Sequence, residues 1–212
     1  MHRRLLLLLI LLPAWAQNPA AKPGTDGWTS LFDGTSLKGW SETPFTRHGT
    51  VSIADGAITL GTGYMTGITW AGSFPHSNYE IRLEAARIDG NDFFAGITFP
   101  VGDSFCTWIN GGWGGTLVGL SSLNGNDASE NETGVTRTFE KGRWYRLRLR
   151  VTDDRIQAWI DEQPVIDVPT ADYEIGLRPG ETELSKPLGI ASYSTLARLR
   201  KLEYRVVEPS GK

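Results

Sequence analysis

Apolar and polar residues alternate with a period of two along much of this chain. In Tyr79-Glu80-Ile81-Arg82-Leu83-Glu84 the two kinds take strict turns. From Tyr145 to Val151, Leu147 and Leu149 interleave with Arg146, Arg148 and Arg150. Such stretches predict antiparallel strands with one face buried and one in water. Two hairpins are legible. Val51-Ser52-Ile53 and Ile58-Thr59-Leu60 flank Asp55-Gly56, and Ile156–Ile160 and Val165–Val168 flank a turn at Asp161–Pro164. Further strands are predicted at Phe93–Phe99, Phe105–Asn110, Thr116–Ser121, Leu188–Tyr193 and Arg198–Val207. No segment carries a 3.6-residue period, and the nearest to helix is a short turn near Ala171–Ile175. About ten to twelve short strands separated by turns predict an all-β protein, an antiparallel jelly-roll β-sandwich.

The first residues break this pattern. His2, Arg3 and Arg4 precede an apolar run from Leu5 to Leu12, and Ala14-Trp15-Ala16 fits a small-x-small cleavage site. Residues 1–16 therefore read as a cleavable signal peptide, too short in its apolar part to span a bilayer, and a secreted or periplasmic location follows. Residues 17–26, rich in Pro, Ala and Asn, read as a linker, and residues 27–208 as one domain. Cleavage would move the formal charge from −3 to about −5. A mildly acidic chain without basic runs gives no reason to expect nucleic acid as partner. No second hydrophobic segment suggests a membrane span. The single cysteine, Cys106, excludes an internal disulfide and is expected to be buried as a small hydrophobe.

Candidate chemistry concentrates between Cys106 and Thr133. Trp113 sits in Gly111-Gly112-Trp113-Gly114-Gly115, where bare backbone on both sides would leave the ring exposed to stack on a sugar. On the preceding strand Trp108 and Asn110 share one face with Cys106, and Thr107 and Ile109 share the other. If Thr107 and Ile109 are buried, Trp108 and Asn110 line the groove; the opposite assignment is open. Asp127, Glu130 and Glu132, with the amide of Asn131 between them, form an acidic turn. In an extended segment Glu130 and Glu132 would point the same way. Two close carboxylates resist double ionisation, so one could serve as acid and one as base. The same three carboxylates could instead hold calcium or another divalent cation, or simply face solvent; no other cofactor is suggested. Asn131-Glu132-Thr133 matches a glycosylation acceptor pattern, which is taken as coincidental. His76, in a loop before a strand, is a candidate base or ligand, and His48 a weaker one. Arg178, in a polar loop before the penultimate strand, is a candidate clamp on substrate. The Arg146, Arg148 and Arg150 stripe, with Trp144, could meet an acidic sugar or simply be a solvated face.

The stretch from Gly27 to Trp40, GWTSLFDGTSLKGW, resembles the opening of the 3-keto-disaccharide hydrolase domain family. The similarity runs on through Val51–Leu60, the strand at Tyr79, the strand start Gly142-Arg143-Trp144-Tyr145, and the close from Pro187-Leu188-Gly189-Ile190 to Val206. The resemblance implies a concanavalin-A-like jelly roll, related in shape to laminin-G domains and glycoside hydrolase family 16. The family-16 signature Glu-x-Asp-x-x-Glu is absent, so retaining glycosidase chemistry by that route is not expected. The implied substrate is a carbohydrate whose C3 hydroxyl has become a ketone. That ketone acidifies the C2 proton. A base removes it, and the enolate expels the glycosidic oxygen at C1. Glu130, Glu132, Asp127 and His76 are the expected acid–base groups. Trp113, Trp108, Asn110, Asn131 and Arg178 are the expected substrate contacts. A non-catalytic sugar-binding module is the alternative.

Overall fold

A computed structural model describes residues 27–209. The expected signal peptide and linker lie outside the described residues. In chain order the strands are β1 (Thr29–Ser30), β2 (Trp40–Glu42), β3 (Val51–Ala54), β4 (Ala57–Leu60), β5 (Met65–Trp70), β6 (Tyr79–Gly90), β7 (Gly96–Val101) and β8 (Ser104–Gly112). They continue with β9 (Leu117–Ser121), β10 (Val135–Thr136), β11 (Tyr145–Val151), β12 (Arg155–Ile160), β13 (Gln163–Pro169), β14 (Gly189–Tyr193) and β15 (Thr195–Val206). Two single-turn 3-10 helices interrupt them, at Thr170–Asp172 and Glu181–Ser185.

These strands form two antiparallel sheets. The back sheet runs β13-β12-β11-β6-β15-β4-β3, with β1 added beside β15, and the front sheet runs β10-β9-β8-β7-β14-β5-β2. The expected β-sandwich is therefore present. Both predicted hairpins form, with Ile53 opposite Ile58 in the first, and Ile156 opposite Val168 and Ala158 opposite Ile166 in the second, which carries a register shift at Ala158–Trp159. No helix among the described residues is long and apolar enough to cross a membrane.

The core lies between the sheets. On the back sheet Leu147 pairs with Leu83 and Leu149 with Ile81, all four buried inward. On the front sheet Ile97 pairs with Trp108, and both are fully buried in the same core. Each such side chain contributes roughly 1.5–3 kcal/mol by leaving water, far more than a surface ion pair. The aromatic opening of the chain is structural. Trp40 donates its indole N–H to the Leu31 carbonyl and meets Trp70 edge-on. The Asp33 carboxylate accepts the Ser36 hydroxyl at 2.6 Å and the Thr35 and Ser36 N–H groups, closing a turn and holding its pKa far below the usual range.

Central front-sheet strands are buried on both faces. Every residue of β7 is buried, and so are seven consecutive residues of β8. The outward face there is covered by loops that arch over it, and this cover forms the walls of a groove.

Candidate functional site

The groove lies on the outer face of the front sheet and has a volume of about 500 Å³. Its floor is made by Thr98, Thr107, Ile109 and Ser121 from β7, β8 and β9. Thr98 and Thr107 are cross-strand partners whose hydroxyls lie 3.0 Å apart. One flank is the turn carrying Trp113, and the other is the segment Arg178–Ser185. Asp92, Phe93, Tyr64 and Tyr193 complete the wall.

The strand face deciding the site is thus the reverse of one expectation. Cys106, Trp108 and Asn110 point into the sandwich and are fully buried. Asn110 donates its amide to the Ala95 carbonyl. Thr107 and Ile109 point to the groove. Trp108 is too large and too apolar to leave the core, where it packs against Ile97 and Leu120 across the strand pairs. The same burial raises the Cys106 thiol to about 12.

Trp113 does stand at the groove, with 42% of its surface exposed. Its turn requires left-handed backbone at Gly111 (φ 80°), Trp113 (φ 46°) and Gly115 (φ 102°). Beneath the turn lies the guanidinium of Arg87, which reaches from the back sheet and donates to the Gly111 and Gly115 carbonyls at 3.2 and 2.6 Å. A Cβ at Gly111 would come within 2.3 Å of that guanidinium. Glycine is therefore required there by contact as well as by φ. Burial lowers the Arg87 pKa, opposed by the Asp92 charge.

The acidic turn does not converge. Asp127 is half-buried behind the wall. Its carboxylate accepts the Ser121 hydroxyl at 3.0 Å and lies 3.3 Å from Arg178. Glu130 is exposed and accepts the Asp127 N–H at 3.4 Å. Glu132 is exposed and is held below the usual carboxylate range by a hydrogen bond from Tyr173. Neither glutamate lies on the groove wall. The loop bends between the two, so the two-residue spacing does not set them side by side. Asn131 staples this loop, its amide donating to the Leu120, Asn126 and Asp127 carbonyls. With its nitrogen so engaged, Asn131 is a structural residue, available neither to sugar nor to glycosylation. No three His, Cys, Asp or Glu side chains among the described residues gather as a group that could hold a metal ion. His76 bonds the Gly102 carbonyl at 2.7 Å, packs against Phe105 and lines no part of the groove. His48 bonds the neighbouring Gly49 carbonyl.

Arg178 does reach the groove, with its guanidinium 5.9 Å from the Trp113 ring centre. Four groups on the wall were not singled out from sequence. Tyr64 and Tyr193 meet edge-on at 4.9 Å, and the hydrogen bond between them, with burial, raises the Tyr193 pKa. Tyr193 therefore stays protonated at neutral pH. Asp92 has its Oδ1 fixed by the Phe93 N–H at 2.8 Å and makes no ion pair among the described residues. Glu181 is held below the usual carboxylate range by Thr46, first through its side chain and then through its N–H at 2.9 Å, and its Oε2 is buried without a partner. The sequence signals for these were faint: Asp92 closes a polar turn at Gly90-Asn91, and Tyr193 ends a strand.

Comparison with known proteins agrees with this fold. Residues 27–205 match the 3-keto-alpha-glucoside-1,2-lyase-like domain family, and the chain belongs to that family. Membership makes it a carbohydrate-active domain, sugar-binding or glycosidase-like. No curated protein matches the chain. Among solved structures, the carbohydrate-binding module CBM66 from Bacillus subtilis is 15% identical, with 79% of this chain and 95% of that one covered and a TM-score of 0.54. The Crh5 transglycosylase in complex with NAG is 14% identical over 91% and 89%, with a TM-score of 0.60. Domain 4 of AbnA, an extracellular arabinanase from Geobacillus stearothermophilus in complex with arabinotriose, is 14% identical over 81% and 84%, with a TM-score of 0.52. At such identities the likeness is one of fold.

Proposed function

We propose that this member of the 3-keto-alpha-glucoside-1,2-lyase-like family binds a 3-keto-glycoside in the front groove and cleaves its glycosidic bond by removing the C2 proton. The supporting observation is the joint presence, on the wall of one 500 Å³ groove, of an exposed indole, a fixed carboxylate with no ion pair among the described residues, and a hydrogen-bonded tyrosine pair. Asp92 is the base. Among the wall carboxylates, Glu181 has one oxygen bonded and the other covered, and Asp127, set behind the wall, is spent on Arg178 and Ser121. Asp92 takes the C2 proton, and the C2–H electrons pass into the C3 ketone as an enolate. The enolate re-forms the ketone as the C1–O bond breaks, leaving a C1–C2 double bond. The departing oxygen takes a proton from the Tyr193–Tyr64 pair, and water adding across C1–C2 completes net hydrolysis. Trp113 stacks on the sugar ring, and Arg178 steadies the hydroxyls or the enolate oxygen. Export through residues 1–16 would place the reaction outside the cytoplasm.

The test is turnover of methyl 3-keto-α-glucoside by the full chain in D₂O, followed by NMR. Loss or exchange of the C2 proton with release of methanol is expected. Asp92→Asn should lower kcat by about 10²–10⁴-fold with KM little changed. No C2 exchange by the wild type would overturn the reaction. Wild-type exchange with an unaffected Asp92→Asn would overturn only the assignment of the base.

One observation favours a second reading, a sugar-binding module without cleavage. The glutamates expected to act as acid and base, Glu130 and Glu132, lie off the groove, whereas Trp113, Tyr64 and Phe93 give a complete aromatic contact surface. On this reading unoxidised glycans bind and no product forms.

A further inference from the structure

The back sheet presents a second surface, remote from the groove chemistry and opposite in character. Its three central strands, β11, β6 and β15, turn outward Arg146, Arg148 and Arg150, then Arg82, and then Arg198, Arg200 and Arg205. Lys201 adds an eighth cation. Four carboxylates face outward from the same strands, Glu80, Glu84 and Glu203 along their middle and Asp89 at the end of β6, where it pairs with Lys141 at 2.6 Å. The excess stands against a chain of net charge −3.

Depth sharpens this asymmetry. The Glu80, Glu84 and Glu203 side chains are 2%, 15% and 28% exposed. Arg150, Arg200 and Arg205, which pair with the first two, are 36%, 35% and 37% exposed, and Lys201 is 64% exposed. These three carboxylates lie at the base of the layer and the cations form its outer surface. Exposed acid returns towards the rim, where Glu162 meets Arg148 at 3.5 Å, Asp55 meets Arg198 at 3.5 Å and Asp167 meets Arg155 at 2.6 Å.

The cations are also held in place. Arg82 and Arg205 lie over the Trp28 ring at 4.0 and 4.6 Å, Arg148 over Trp159 at 3.8 Å, and Arg200 over Trp144 at 4.1 Å. Stacking fixes the plane of each guanidinium before any ligand arrives, which reduces the ordering cost of binding and leaves outward N–H groups for carboxylate or sulfate oxygens. Residues two apart on a strand stand roughly 6.7 Å apart, and neighbouring strands about 4.8 Å, so the face is a regular lattice of positive charge.

We propose that this face binds an acidic polysaccharide, a chain of sugars bearing carboxylate or sulfate groups, independently of the groove. Charge complementarity selects a polyanion. The tryptophans are capped by arginine, so no bare rings are offered to unpaired bases, as a single-stranded nucleic acid site would require. The flat sheet also has no projecting element to enter a duplex groove. A carbohydrate-active domain would thereby be held along a charged polymer while its groove stays free.

The experiment measures binding of the full chain to polygalacturonate and to dextran sulfate by calorimetry between 50 and 300 mM NaCl (about a sixfold span, chosen to resolve a counterion slope). Neutral dextran, duplex DNA and phosphatidylserine vesicles serve as comparisons. Expected is binding to one or both acidic glycans and none to neutral dextran, weakening steeply with salt. Arg146→Glu with Lys201→Glu, both at exposed positions, should weaken binding about tenfold or more and reduce the slope of log K against log salt by about two. Near-UV circular dichroism checks the fold of the variant, and Asp92→Asn in the groove should leave glycan binding unchanged. The proposal is overturned by absent binding to both acidic glycans at 50 mM salt. It is equally overturned by a correctly folded double variant that binds as the wild type does, or by tighter binding to DNA or vesicles than to either glycan. The groove plays no part in any of these outcomes, so they are separate from the fate of the lyase reading.

Discussion

Glu80 on the back sheet and Thr107 on the front sheet are both outward-facing residues in the middle of long strands, and both are almost fully buried. What buries them differs. Glu80 is covered by three arginines, with Arg205 at 2.6 Å and Arg148 and Arg150 at 3.7 and 3.9 Å. Thr107 is covered by loops, from the Trp113 turn on one side to the Arg178–Ser185 segment on the other. The back face is closed by its own side chains and stays a regular charged surface. The front face is closed by distant chain segments that leave a hollow between them. A binding cavity in this fold thus comes from the loops, and the sheet supplies only a rigid floor.

The comparison breaks most sharply at Asp92. The loss of two to four orders of magnitude in kcat expected for Asp92→Asn has no counterpart among the back-face charges, and charge-neutralising changes at Arg146 should leave turnover within about twofold, since surface charges far from chemistry act weakly. Arg87 comes next, because it ties the two regions through a buried charge. It is rooted in the back sheet and carries the front turn. Arg87→Met should cost about 3 kcal/mol in urea unfolding, having left the Gly111 and Gly115 carbonyls unpaired, and should raise KM through a loosened Trp113. Arg87→Lys should restore much of the stability but less of the KM, because a single ammonium cannot serve both carbonyls in the same plane.

Glu80→Gln probes the back face by itself. Removing the charge beneath three guanidinia should destabilise by about 1–3 kcal/mol, with activity in the groove preserved. Trp113→Ala is the converse. It should leave the melting temperature within a degree or two while raising KM about tenfold, in keeping with a stacking contact of about 1.4 kcal/mol. The smallest effect is on acid stability. Burial raises the Glu84 pKa, but its bonds with Lys201 and Arg200 outweigh this and hold it below the usual value. A carboxylate with a lowered folded-state pKa contributes stability that is present above about pH 4.3 and is lost as the pH falls through the folded value. Glu84→Gln should therefore lose less stability than the wild type between about pH 5 and pH 3 in urea titrations.

The back sheet was readable from the alternation of β6, β11 and β12 because its outer face meets water, and a period of two survives only where the two faces have different solvents. The strand Met65–Trp70 carried no such signal, since its first four residues are buried whichever way they point. The same loss of contrast left the face of β8 undecided, and volume settled it: Trp108 fills core space that Thr107 could not. The acidic turn was conspicuous as composition, yet a bend and the Asn131 staple separate its carboxylates. Asp92 and Tyr64, on two different connections, and Tyr193, at the end of β14, were inconspicuous because nothing local to any of them reports the other two.

Local order along the chain was enough to set the strand periodicity, the hairpin turns, the family opening and the apolar residues that must leave water, because these depend on neighbours within a few residues. Which loops arch over which sheet, which carboxylate reaches the hollow, and how scattered arginines merge into one positive face depend on strand pairings more than a hundred residues apart, such as Arg200 beside Glu84 and Arg205 beside Glu80. Those pairings exist only once the two sheets have closed on a common core, and so the tertiary structure alone decided them.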